Sequence, residues 1–476
     1  MRHGARTTLS KDVTNMLAEK GGATLTPLGQ QQLYKLGEWL RAHYINYDNN
    51  GDTLSLEYYN PSLHRLESSN LDRTISSANA LAMGLFPNKE RATASINKNS
   101  SKNNQTQLPH LLLSTLLPTP PAIPVYTLQE ENDVYLRAYR HCPTFHDNLQ
   151  RLYETPEWKA LEQNNDALMK KLANIFPEHA VEGRVPLFQV WNVYDPIHVA
   201  VTECSGGDDD DGRDATSNNS SNSANSCSAL VALPSLATAL SASDFAALEL
   251  LTHQVEYLKF AQQDAGNLLG SNLLWNIIQR AADTKHEGTF FLYSAHAPTL
   301  LGFLATLQAS EDFVSESRGQ RFVDYGGALI VEVYEEINNM GVGVSLHLKL
   351  KYKSLEKPQP VAIPLKESIK GVTCGTDDTE EGRFCGLTQF TLWAVEHTLV
   401  SAEKWCQACG NVLSDVCLRS EYLLDDGSDS FPWVGGSGSS TGTVGSSGSS
   451  SDGSNGLVVA ITFLAGVLIG IVLMIF

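Results

Sequence analysis

Met1-Arg2-His3-Gly4-Ala5-Arg6 opens the chain and sets guanidinium groups on both sides of an imidazole, with Gly4 and Ala5 leaving room beside it. Arginine presents rigid paired donors that fit a carboxylate or a phosphate. Histidine is the side chain that carries protons or attacks as a nucleophile near neutral pH. The cluster therefore suits a tetrahedral oxyanion approached by a ring nitrogen. So short a pattern is equally compatible with a basic tail that touches nothing, and the rest of the chain has to decide.

Working outward, the pattern is one of alternating helices and strands. Thr26-Pro27 reads as an N-cap followed by a proline at the first helical position. Leu33, Leu36, Leu40 and Tyr44 then recur at helical spacing. A strand-like run follows at Thr53 to Tyr59, and a polar segment leads to Asp72-Arg73-Thr74. The next helix carries Leu71, Ile75, Ala78, Leu81, Ala82 and Leu85 and stops at Pro87. Residues 88 to 107 read as an exposed polar insertion, and Leu108 to Leu128 as apolar strand-like runs broken by prolines. Helical periodicity runs from roughly Asp133 to Ala173 and again over Ala242 to Ala282. Gly288 to His296 reads as a buried strand ending on a histidine, followed by a helix over Leu300 to Leu307. Two further strands are expected at Leu329 to Tyr334 and Val342 to Tyr352, with a turn at Asn338 to Gly341. Such alternation predicts an α/β fold.

The chain has 476 residues, 42% of them hydrophobic, which is ample for a sizeable core and, on length alone, two or three domains. A net charge of -19 argues against a nucleic-acid partner, which needs a positive field along the phosphates. Part of that charge sits in one run, Asp208 to Asp211, inside a stretch from 205 to 226 that is almost devoid of apolar residues and reads as a disordered loop. Cys142, Cys204, Cys227, Cys374, Cys385, Cys406, Cys409 and Cys417 are even in number and widely spread, which fits disulfides in an oxidising compartment. Cys406-Gln407-Ala408-Cys409 has no second pair at zinc spacing, so zinc is the weaker reading. Glycosylation sequons at Asn99, Asn104, Asn218 and Asn219 all fall in polar stretches and agree with a secretory route.

Residues 435 to 456 are nearly all Gly, Ser, Thr and Asp, a flexible linker. Leu457 to Phe476 is uncharged and long enough to cross a bilayer. It reads equally as a retained transmembrane helix and as a cleaved glycolipid-anchor signal, and both put the folded part at a membrane. Folded part and leader do not match, because no signal peptide precedes the opening motif, and the N-terminus is therefore expected to be incomplete.

Arg2-His3-Gly4-Ala5-Arg6 resembles the RHGxR signature of the histidine acid phosphatases. Leu25-Thr26-Pro27-Leu28-Gly29, Asp72-Arg73-Thr74 leading to Gly84-Leu85-Phe86-Pro87, Cys142-Pro143-Thr144-Phe145 and Tyr293-Ser294-Ala295-His296 are similar to that family's successive blocks, in the same order. The resemblance spans about residues 1 to 420. It implies a mixed central sheet with helices on both faces and a smaller inserted helical cap at about 130–282, within a catalytic domain of 1–434. It also implies hydrolysis of phosphate monoesters, on small molecules or phosphoproteins, at acidic pH. His3 matches the nucleophile that becomes a phosphohistidine. Arg2, Arg6 and Arg73 match the phosphate clamp, and His296 matches a second histidine donating to the same oxygens. With three guanidiniums supplying the charge, neither metal nor cofactor is required. Taken alone, Arg73 reads as a helix-surface arginine and His296 as a core histidine; it is the ends of parallel strands, where ligands gather, that favour the pocket.

Two departures from the pattern carry consequences. The family has an acid directly after the second histidine to protonate the leaving oxygen, and here that position is Ala297. General acid catalysis contributes about 10²–10⁴-fold, so alkyl phosphates are expected to turn over slowly, and a phosphate-binding pseudoenzyme stands as the alternative. The family also places a central strand before the motif, without which the motif is expected to lose its anchor. The resemblance further implies disulfides joining Cys142 to the 406–417 cluster and Cys374 to Cys385, with Cys204 and Cys227 paired across the acidic loop. The catalytic domain is expected on the extracellular or lumenal side; oligomeric state stays open, a homodimer included.

Overall fold

The computed structural model describes residues 1–11, 19–20, 23–44, 59–86, 123–205, 240–282, 289–309, 323–337, 344–363, 385–422 and 473–475. Its centre is a mixed sheet, with the short hairpin β1 (Ser10–Lys11) and β2 (Glu19–Lys20) standing apart from it. The sheet strands are β3 (His64–Ser68), β4 (Val125–Thr127), β5 (Phe290–Ser294), β6 (Ala328–Ile337), β7 (Val344–Lys353), β8 (Val361–Ala362), β9 (Cys385–Gly386) and β10 (Leu473–Ile475). Their order is β4-β3-β5-β10-β6-β7-β8, and β9 also pairs with β7. β4, β3, β5 and β10 run parallel, whereas β6 is antiparallel to β10 and to β7.

Period-2 alternation sends the side chains of these strands into two separate cores. Leu66, Phe290, Leu292, Ala328 and Ile330 pack with α1 (Pro27–Tyr44) and α2 (Asp72–Leu85). Tyr293, Leu329, Val331, Val333, Leu348 and Leu350 face the opposite way. They meet residues of α8 (Gln263–Ala282), α9 (Ala297–Thr306) and α10 (Leu387–His397). Helices thus cover both faces, as expected of an α/β fold with a largely buried sheet. The helices α3 (Pro143–Tyr153), α4 (Pro156–Asn164), α5 (Asp166–Ile175), α6 (Val190–Ser205) and α7 (Ala242–Phe260) complete the middle of the chain. Trp158, Met169, Leu172, Val193, Leu248, Leu251 and Val255 form a third core that contains no strand residue. α11 (Ala402–Cys409) and α12 (Asp415–Tyr422) close the described chain before β10.

Several sequence expectations change here. β3 falls on a segment read only as polar. Its burial alternates, with His64, Leu66 and Ser68 inward, and Arg65 and Glu67 pair along the other face at 2.5 Å, so charge masks the strand period. The helical stretch 242–282 breaks at Ala261 and Gln262 into α7 and α8. Of Leu457 to Phe476, expected as a membrane helix or anchor signal, Leu473–Ile475 is a strand, bridging β5 and β6 through their backbone edges. No helix among the described residues is long and apolar enough to cross a membrane. The rest of that tail, the linker 435–456, residues 206–226 of the acidic loop, the four sequon asparagines, the insertion 88–107 and Thr53 to Tyr58 lie outside the described residues.

Cys142 is joined to Cys409, tying the start of α3 to the end of α11, and Cys406 is joined to Cys417. Cys385 is also disulfide-bonded. Cys227, Cys374 and the side chain of Cys204 lie outside the described residues.

Candidate active site

The opening motif sits at the carboxyl end of the parallel strands, and its backbone is held on both sides. The Ala295 amide donates to the Met1 carbonyl at 2.8 Å, and the His3 amide donates to the Ala295 carbonyl at 3.1 Å. From the other side, Arg2 donates to the Gly327 carbonyl at 2.9 Å and Gly326 donates to the His3 carbonyl at 3.1 Å. The expected loss of an anchor is therefore corrected, since the slot between β5 and the residues entering β6 fixes the motif. Gly4 completes the seat. A Cβ there would lie 2.4 Å from the Gly29 carbonyl oxygen, so only glycine lets the motif lie against the start of α1.

His3 is 4% exposed, and its Nδ1 lies 2.9 Å from the Gly4 carbonyl oxygen. A carbonyl only accepts, so Nδ1 carries the proton and Nε2 keeps its lone pair. Burial, and then the charges of Arg73, Arg2 and Arg6, push its pKa well below the ordinary histidine value. His296 sits at the N-cap position of α9, its ring centre 5.5 Å from that of His3. Its Nε2 is 2.8 Å from the Ser69 hydroxyl, which in turn bonds Thr74 at 2.9 Å. Burial, then Arg73 and His3, lower its pKa in the same way.

The three arginines are held by different elements. Arg73 is buried in the first turn of α2, immediately beyond β3, and its carbonyl accepts from Ser77, whose hydroxyl also accepts the Gly4 amide at 3.1 Å. Arg6 makes a two-pronged pair with Asp195 of α6, at 2.7 and 3.0 Å. Burial works against an ionised Asp195. The Arg6 charge, its hydrogen bonds and the Leu9 amide at 2.7 Å outweigh that and hold the carboxyl below its ordinary value. Arg2 donates to the Val323 carbonyl at 2.5 Å and lies 4.1 Å over the Tyr325 ring.

Beside this cluster a cavity of about 80 Å³ is lined by Arg2, Ala297, Leu301, His253, Glu256 and Tyr325, among others. Its aromatic wall continues from Tyr325 to His198, stacked at 5.3 Å, and from His198 to Tyr194, stacked at 5.1 Å. Among the described residues, no group of three or more His, Cys, Asp or Glu is arranged to hold a metal ion.

The structure thus brings Arg2, His3, Arg6, Arg73 and His296 into one buried cluster, with Ala297 at its edge. Sequence reasoning missed Asp195, Ser69, Ser77 and Tyr325. Asp195 left one trace, an acid inside the apolar helical run Val190 to Val201, where burial demands a cationic partner.

A family model described as histidine phosphatase superfamily (branch 2) matches residues 6–350. A Caenorhabditis elegans protein bearing an acid phosphatase name is 26% identical over 349 residues, 71% of this chain and 65% of that one, so the chain spans less than two thirds of that relative. Rattus norvegicus lysosomal acid phosphatase is 24% identical over 373 residues, 76% of this chain and 72% of the relative. The solved phytase of Klebsiella sp ASR1 is similar at 13% identity with a TM-score of 0.49, over 83% of this chain and 92% of that one. With the motif seated at the strand ends and the family model covering most of the folded residues, the chain belongs to branch 2 of the histidine phosphatase superfamily.

Proposed function

We propose that this protein hydrolyses phosphate monoesters at acidic pH through a phosphohistidine on His3. The observation that carries the reading is the placement of His3: its Nδ1 lies 2.9 Å from the Gly4 carbonyl, which can only accept, and burial and three guanidiniums oppose a second proton. A ring so placed stays neutral and nucleophilic at a pH where a free histidine is protonated. Nε2 attacks phosphorus while Arg2, Arg6, Arg73 and His296 take up charge on the non-bridging oxygens. Water then releases phosphate from the histidine. The helical third core beside the aromatic wall is the cap that selects the leaving group.

The acid phosphatase names of the relatives support this chemistry, and the pseudoenzyme alternative finds no support among them. The lysosomal relative and the disulfides support a lumenal or extracellular catalytic part. Membrane attachment through Leu457 to Phe476 belongs to the same proposal and requires Leu473–Ile475 to leave the sheet. Resistance of the full chain to alkaline extraction from membranes is the expected result; release into the supernatant would refute attachment.

Hydrolysis of p-nitrophenyl phosphate, followed from pH 4 to 8 beside His3→Ala, tests the enzymatic reading. Activity is expected to persist well below pH 6 and to vanish in the variant. Equal rates in the two proteins would overturn it.

A further inference from the structure

Position 297 holds alanine, yet the cavity it borders has another carboxylate. Ala297 and Leu301 are one turn apart on α9 and share a wall of that cavity with Arg2. His253 and Glu256, one turn apart on α7, line the same cavity, and α7 packs against α9. Glu256 is 4% exposed, with a carboxylate oxygen 3.7 Å from the Lys259 ammonium. The other lining carboxylates have different settings. Asp324 accepts from the Ser354 hydroxyl at 2.9 Å, and Glu356 lies exposed.

We propose that Glu256 is the general acid of this protein, donating from α7 the proton that residue 297 does not supply from α9. The inference rests on the phosphohistidine reading above. In the first half-reaction the His3 Nε2 lone pair forms the P–N bond as the bond from phosphorus to the ester oxygen breaks. The departing electron pair stays on that oxygen, which takes the proton of the Glu256 carboxylic acid. The carboxylate left behind faces the Lys259 ammonium. In the second half-reaction water attacks phosphorus and leaves its protons on the phosphate formed, while Glu256 regains its proton from solvent. The P–N electron pair returns to His3, and inorganic phosphate leaves. Glutamate is longer than aspartate by one methylene, which suits reach from a facing helix.

Leaving-group sensitivity tests this, because a merely structural role would slow all esters alike. Glu256→Gln is assayed on an alkyl ester, glycerol 2-phosphate, and on p-nitrophenyl phosphate, whose leaving group needs no proton. The expected result is a fall of about 10²-fold in kcat on the alkyl ester and less than about threefold on the aryl ester. Adding Ala297→Asp to Glu256→Gln is expected to recover at least about tenfold of the alkyl rate. Equal loss on both esters, or no loss, overturns the proposal. Should Glu256→Gln not fold, Ala297→Asp alone decides: a change under about threefold on the alkyl ester supports a site already served by an acid, and a rise of about tenfold or more contradicts it. Failure of the parent reading looks different, since His3→Ala would then retain turnover of the aryl ester.

Discussion

On the proposed reading the site has a phosphate end and a leaving-group end, and the two are built by opposite strategies. At the phosphate end, polar side chains are buried and each is oriented by a fixed neighbour: His3 by the Gly4 carbonyl, His296 by Ser69, Arg6 by Asp195. At the leaving-group end, aromatic rings and an alanine line a cavity, and His198, His253 and Glu256 reach it from α6 and α7, helices of the strand-free region. The contrast teaches that binding a phosphoryl group needs preorganised charge, which tolerates little variation, whereas the departing group meets a wall that helices of another core supply. Under that reading, alanine at 297 alters the second task without disturbing the first.

If that division holds, substitutions at the phosphate end act on every ester alike. Arg73→Met should lower kcat/KM about 10²–10³-fold for alkyl and aryl esters. It should also move the His3 pKa upward, because Arg73 is the first of the charges that depress it after burial. Steady-state kinetics on both esters and NMR titration of the His3 ring read the two effects; a loss confined to alkyl esters would break the comparison. Asp195→Ala leaves a buried guanidinium without its carboxylate and should cost about 3–5 kcal/mol of folding stability, read by urea denaturation. A cost below about 1 kcal/mol would mean that the pair does not hold Arg6 in place.

The histidines give the comparison a pH signature. His3 and His296 both have folded pKa values below the ordinary 6.5, so below that pH the unfolded chain binds more protons than the folded one. Their contribution is fully present above pH 6.5 and is lost as pH falls towards the folded values. Asp133, raised by burial to about 6, works the other way, stabilising the fold below its ordinary 3.8 and losing that contribution as pH rises through about 6. Replacing His3 and His296 with Gln should therefore flatten the fall of Tm between pH 6.5 and 5; an unchanged slope would place the acid sensitivity elsewhere. The smallest expected effect is at the junction of the two ends. Tyr325→Leu removes the ring beneath Arg2 and should weaken phosphate binding by about 0.5–2 kcal/mol, measured by calorimetry.

How much of this was legible in the sequence follows the same division. Arg2, His3, Arg73 and His296 belong to short local blocks, so neighbours in the chain announce them. α1, β5 and α9 were equally clear, because apolar spacing alone marks them. Asp195 and Tyr325 were not, since they reach the cluster only through tertiary packing; Asp195 meets Arg6 across a separation of 189 residues. β3 was hidden because two of its five residues, Arg65 and Glu67, are charged on the face away from the first core, although its C-terminal end delivers Ser69 to His296. Glu256 carried no sequence signal, as an acid one turn from a lysine reads like any solvated helix pair until the fold buries both.

The covalent intermediate tests the central claim most directly. Wild-type protein mixed with an aryl phosphate at pH 5 and quenched in alkali within milliseconds should carry one phosphoryl group, located by mass spectrometry on Nε2 of His3. A phosphoryl group on another residue, or turnover with no covalent phosphate at any time, would contradict the account.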